Sequence, residues 1–230
     1  MADSGHSTAT LRLTVGTLMI AHPISVPNRP VAAAEIVPAL QGLVNAVVAA
    51  AEADQPVSCR KGCGACCRQL VPVSRSEGER LLQLVERLPP PRRKALEARF
   101  AEAAARLAAA GLTERQGRSD RDLSAAYFGL GLPCPFLEAE SCSIHPERPL
   151  VCREYLVTSP AERCAGPNQE GVTPLPVPKV SAAARGLQDE ADDWFPLALL
   201  LDWGRRRPKG GARRPGPEWI QRFLQRLSGR

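Results

Sequence analysis

Hydrophobic positions along the 230-residue chain change their period several times. Leu11, Leu13 and Val15 alternate with Arg12 and Thr14, a period of two that predicts a short strand, and Thr17-Leu18-Met19-Ile20 follows as a second apolar run. Residues 1–10 are small and polar and read as disordered, and Pro23, Pro27 and Pro30 read as breaks. From Ile36 the spacing turns helical. Ile36, Leu40, Leu43 or Val44, and Val47 share one face, Pro38 suits a first turn, and Asp54-Gln55-Pro56 ends the run. Ser74 and Glu77 form a capping-box signature ahead of Leu81, Leu84 or Val85, and Leu88. The triplet Pro89-Pro90-Pro91 stops that helix, and a second follows with Leu96, Phe100, Ala103 and Leu107 on one side and Gly111 as its stop. The two read as a helical hairpin.

Residues 113–124 read as loop, and residues 165–180, with Pro167, Pro174, Pro176 and Pro178, as extended chain. Asp192 or Asp193 is the candidate cap of a helix through Leu197 to Trp203, with Pro196 in its first turn. Pro217 opens a last helix with Ile220, Phe223, Leu224 and Leu227 on one face. The pattern predicts a mainly α fold, a small helical domain around a loop-rich cysteine core, with short N-terminal strands. Its expected organisation is an N-terminal extension (1–35), a cysteine-cluster metal-binding domain (36–204) and a flexible basic C-terminal extension with a terminal helix (205–230).

Charge sharpens the last boundary. From Arg205 onward the chain carries eight Arg and one Lys against the single acid Glu218, a net +8, while the whole chain is +6, so the remainder is slightly acidic. Such a tail attracts phosphates or keeps a protein soluble. No aromatic platform is interleaved with it, so a nucleic-acid partner is the weaker expectation. The N-terminus lacks the basic start of a signal peptide, and no stretch reads as the 18–20 uncharged apolar residues of a membrane span. The expectation is a cytoplasmic chain with reduced thiols. Protein partners are not legible in the sequence.

Reduced thiols matter because the chain has eight cysteines in two blocks. Cys59, Cys63, Cys66 and Cys67 lie within nine residues; Cys134, Cys142, Cys152 and Cys164 form the second block. Thiolate sulfur is a soft ligand that selects zinc, Cu(I) or iron–sulfur clusters. Cys59-x3-Cys63-x2-Cys66 lets several side chains reach one ion from a short loop, with Gly62 and Gly64 suited to tight turns. Arg60, Lys61 and Arg68 are expected to offset negative charge and lower the thiol pKa values. Adjacent side chains diverge, so Cys66 and Cys67 fit two ions, a polynuclear cluster, or one ligand beside one packed or redox-active thiol. The longer gaps of the second block suit a loop wrapping a site. His145, three positions after Cys142, is a further candidate ligand or a surface residue. Arg148 and Arg153 read as anchors for loop carbonyls or as charge compensation, ahead of the alternative that either binds an anionic substrate. Glu77 and Glu79 read as helix N-terminal acids. The first spacing also occurs in radical S-adenosylmethionine enzymes, and Cys63-Gly-Ala-Cys66 matches a redox motif, but neither the βα repeat of the former nor the βαβ context of the latter is present.

The run Gly62-Cys63-Gly64-Ala65-Cys66-Cys67-Arg68, with Cys134-Pro-Phe-Leu, Cys142-Ser-Ile-His-x-x-Arg-Pro-x-x-Cys152-Arg and Cys164, resembles the YkgJ-like cysteine-cluster family of zinc- or iron-chelating domains. The order of all eight cysteines agrees over roughly residues 57–165, although the first gap here is three residues where the family signature often has two. The resemblance implies a metal-binding protein for zinc or iron, an iron–sulfur cluster included, with all eight cysteines as ligands. Its alternative is an iron–sulfur-dependent enzyme of redox or methyl-transfer chemistry.

Overall fold

The computed structural model describes residues 5–15, 18–114, 117–166, 170–188, 193–207 and 210–229. Two ten-residue strands, β1 (His6–Val15) and β2 (Leu18–Pro27), pair antiparallel from His6↔Pro27 to Val15↔Leu18. Their alternation buries Leu11 from β1 and Ile20, Ile24 and Val26 from β2. The expected disorder is thus replaced by strand from His6 onward. Pro23 does not break the pattern either. It lies inside β2 opposite Thr10, in a two-stranded sheet that leaves each strand an open edge where a missing N–H can be tolerated. Thr17 lies outside the described residues.

β3 (Pro30–Ala32) leads through a 3₁₀ turn into α1 (Val37–Asp54), which buries the expected stripe of Leu40, Leu43, Val44 and Val47. With that turn, Ala33–Asp54 has a mean hydropathy of 1.5 and is long and apolar enough to cross a membrane by length and composition, contrary to the expectation of no such stretch. Ile36 to Ala51 carries no charge, and its two amides, Gln41 and Asn45, lower the hydropathy too little to exclude it. In this fold 56% of the apolar window is buried.

β4 (Pro72–Ser74) precedes α2 (Arg75–Glu86), and α3 (Pro90–Ala109) begins inside the proline triplet, where a missing N–H costs nothing in a first turn. Leu96, Phe100, Ala103 and Leu107 are all buried, as their spacing predicts. The expected loop at 113–124 is corrected in its last part. There α4 (Asp120–Gly129) starts, its Ser119 side chain accepting the Asp122 N–H. β5 (Leu137–Glu138) and β6 (Ser141–Cys142) form a tight hairpin, followed by α5 (Leu150–Glu154) and α6 (Val180–Arg185). Pro196 does not open a helix. It ends β7 (Trp194–Pro196), which pairs with β4, and α7 (Leu200–Arg206) starts after a 3₁₀ turn. Of the two candidate caps, Asp192 lies outside the described residues and Asp193 precedes the strand.

β8 (Arg213–Pro215) pairs with β3, and α8 (Gly216–Leu227) follows. The C-terminal segment is therefore strand and helix rather than a flexible tail. Trp219 and Phe223 are fully buried, the Trp219 indole N–H donating to the Val31 carbonyl at 2.9 Å. Its arginines are engaged as well: Arg205 and Arg206 with Asp202, Arg207 with Glu79, Arg213 with Glu35, and Arg214 with Glu218. Eight α-helices among the described residues make the fold mainly α.

The buried side chains form three clusters. In the first, the hairpin β1–β2, α1, α5, α6 and α8 meet. In the second, Val73, Leu81, Val85, Phe100, Phe136 and Phe195 do so, with Phe100 and Phe136 edge-to-face at 5.3 Å. The third gathers Leu107, Leu123, Tyr127 and Leu199. Cys59 packs against the first cluster, and Cys134 and Cys142 against the second.

Glu77 does more than favour a helix N-terminus. Its carboxylate is buried and accepts the Ser74 N–H at 3.2 Å, the Ser74 hydroxyl at 2.7 Å and the Leu150 N–H at 2.7 Å. One side chain thus caps α2 and α5 together. Glu77→Gln replaces one acceptor oxygen by an amide donor and leaves a buried N–H without an acceptor. The expected loss is about 1–3 kcal/mol in chemical denaturation, with the slope of the transition unchanged.

Candidate metal centre

The first cysteine block enters through Ser58, whose N–H donates to the Val157 carbonyl at 2.9 Å. Gly62 has φ +87°, the left-handed turn expected of it, and the Cys63 N–H closes the turn on the Arg60 carbonyl at 3.1 Å. Gly64 has a different reason to be glycine. Its φ is −97°, but a Cβ there would stand 2.4 Å from a Glu140 carboxylate oxygen and 2.9 Å from Leu137 Cδ1. Cys66 and Cys67 then lie in a 3₁₀ turn, Ala65–Arg68.

That turn receives the second block from two sides. The Cys67 carbonyl accepts the Cys134 N–H at 2.7 Å, and the Gln69 side-chain amide donates to the Cys164 carbonyl at 3.0 Å. Cys142 is brought in by the hairpin, where it pairs with Leu137, and Cys152 rides on α5. The electrostatic neighbours of each thiol follow the same division. Cys59 and Cys164 feel Cys66 and Cys63, while Cys134, Cys142 and Cys152 each feel Cys66. Cys66 is the member common to both groups. Neighbouring side chains here do not simply diverge, since the strongest influence on the Cys66 thiol is Cys67 itself.

The expected lowering of thiol pKa is overturned. Burial pushes the Cys59, Cys142, Cys152 and Cys164 thiols up, and Cys134 up to about 12. Cys66 is raised by Cys67 first and by burial second. Arg68 pairs mainly with Glu140, in a two-point ion pair at 2.7 and 3.0 Å, and donates to the Gly64 carbonyl, with Cys67 a lesser electrostatic partner. Arg148 does act on Cys59, Cys66, Cys142 and Cys152, joined at Cys142 by Arg153, and its Nε is buried without a hydrogen-bond partner. Arg153 is a carbonyl anchor, as its reading allowed: it donates to the carbonyls of Arg148 and Pro146 and to the Asn45 side chain. His145 is exposed, with Arg148 and Arg153 holding its pKa down after the effect of burial. Sequence reasoning missed Gln69, Glu140 and Tyr155, the last lying against Cys164; each acts across a gap with no local signal.

The donor type fits a thiophilic metal, but the side chains are not a closed cage. Among the described residues no three Cys, His, Asp or Glu side chains already stand together as a ligand set.

The chain is mainly helical, and two ties bring parts of both cysteine blocks to one short turn. Residues 58–173, about half the chain, match the family described as "CxxCxxCC: Putative zinc- or iron-chelating domain". The chain belongs to this family of metal-binding domains. No curated protein and no solved structure matches the chain.

The hairpin that presses on Gly64 turns through Ala139 at φ 46° and Glu140 at φ 55°, left-handed values at two residues that are not glycine. Such a conformation costs an L-residue roughly 1–2 kcal/mol. Ala139→Gly relieves it, less what glycine adds to unfolded-chain entropy, and is expected to raise stability by up to about 1 kcal/mol in thermal or chemical unfolding. A loss of stability would contradict the turn geometry.

Proposed function

We propose that the eight cysteines, Cys59, Cys63, Cys66, Cys67, Cys134, Cys142, Cys152 and Cys164, form one thiolate centre for zinc or iron, with Cys66 as its common member. The observation that carries this reading is the pair of ties, Cys134 N–H to Cys67 carbonyl and Gln69 to Cys164 carbonyl, that bring both blocks to the Ala65–Arg68 turn. Zinc would act there as a crosslink, and iron would add redox chemistry. Cys59, Cys63 and Cys164 would serve one side of Cys66, and Cys134, Cys142 and Cys152 the other. Arg148 would offset the negative charge that accumulates as thiols become thiolates. The role needs reduced thiols and therefore a reducing compartment such as the cytoplasm.

Metal analysis with a visible spectrum, on protein purified without oxygen, tests the reading. Stoichiometric zinc without colour makes the centre a crosslink; iron with inorganic sulfide and a brown colour makes it a cluster. A folded chain with eight titratable thiols and neither metal would overturn the proposal. Cys66→Ser is expected to lower metal content more than Cys63→Ser, because it removes the shared member.

Binding must also release protons, since each thiol is ligated as thiolate. Affinity is expected to fall at least about tenfold per pH unit between pH 7.5 and 6, measured by competition with a chromophoric chelator. A flat pH profile would exclude thiolate ligands.

A further inference from the structure

Away from the thiols, the inner face of the β1–β2 hairpin and one side of α8 enclose a groove of about 740 Å³. Its floor is Leu11, Ile24, Val26 and Ile220, all buried in the first cluster, and Leu224 and Leu227 form a half-buried wall. Among the described residues nothing fills it: Ala9 and Ser7 line it from the strand, and Gln221 and Gln225 from the helix, with small or neutral side chains. At Pro178 and Leu227 the groove runs into a second hollow of about 540 Å³ that carries Lys179 and Arg226. Among the described residues no carboxylate lines either hollow.

An apolar channel with cations at one end has the polarity of an amphiphile with an anionic head. Its volume falls in the range of small-molecule sites. From this shape and charge we propose that the groove binds a free long-chain carboxylate, its chain along the hairpin floor and its head toward Lys179. The apolar part supplies the affinity, and the cations fix the direction of the chain.

Full-length protein titrated with a fluorescent long-chain fatty-acid analogue, below its micelle concentration, tests this. Saturable binding is expected, with displacement by a saturated long-chain carboxylate and much weaker displacement by the alcohol of the same length. Lys179→Glu, on an exposed residue, should weaken binding about fivefold. Gln225→Glu, also exposed, places a carboxylate in the channel and should weaken it further while keeping the parent's thermal unfolding. Ala9→Trp should occlude the channel. Equal displacement by the alcohol, no effect of the charge variants, or no saturable binding would each overturn the proposal. So would sedimentation with anionic but not neutral vesicles when free carboxylate does not bind, which would assign the groove to a membrane surface. A dimer by light scattering that Ala9→Trp dissociates would overturn it in favour of a second copy of the chain.

Discussion

Two buried carboxylates hold the framework of this protein around a helix too short to stand alone. An isolated five-residue helix cannot repay its nucleation cost. α5 persists because Glu77 accepts its first N–H, while Glu154 at its other end accepts the Ser181 N–H in the first turn of α6. Between them Arg153 reaches the Asn45 side chain on α1. Burial raises the pKa of both carboxylates, a sign that their charge is costly here, and the helix N-termini offset part of that cost with aligned N–H groups. The result is a junction of α1, α2, α5 and α6 at the residue next to Cys152. The position of that thiol follows from the junction, not from its own packing.

The electrostatics of the cysteine centre follow from this burial. Thiols held above their ordinary range stay protonated and only weakly reactive at neutral pH. Nearby guanidinium groups, Arg148 at most of these thiols, work against the desolvation without cancelling it. An ion that supplies its own positive charge changes the balance at every thiol it touches, and because Cys66 neighbours both groups, a change there reaches each of them. The family match and this coupling support the same conclusion from different directions. One rests on the order of the cysteines, the other on where the fold puts them.

Much of this was legible in the sequence where the signal is local. The stripe of α1, the Ser74–Glu77 box, the four buried positions of α3 and the proline-led start of α8 depend on spacing within one or two turns, and spacing is what a sequence displays. The family was legible because the type and order of the cysteines are one-dimensional facts, and the match over residues 58–173 bears it out. What failed depends on pairing across the chain. β8 joins β3 across more than 180 residues, β7 joins β4 across more than 120, and neither short strand has a pattern of its own. Pro23 misled because a proline breaks a central strand but not an edge. The pKa expectation failed because burial, which depends on the whole fold, outweighs the flanking cations, and because Arg68 pairs mainly with Glu140 far along the chain.

The same contrast explains Gly64. Read locally, glycine between two cysteines suggests backbone freedom, yet the backbone there needs none. It needs the absence of a side chain, because the β5–β6 turn lies against it and Arg68 fastens that turn by Glu140. The turn accepts left-handed strain at two ordinary residues to keep this approach. Strain persists only where surrounding contacts over-determine it, and here those contacts are the ion pair and the Arg68 bond to the Gly64 carbonyl. The hairpin that delivers Cys142 is therefore positioned from the first cysteine block itself, and the two blocks fix each other through these contacts.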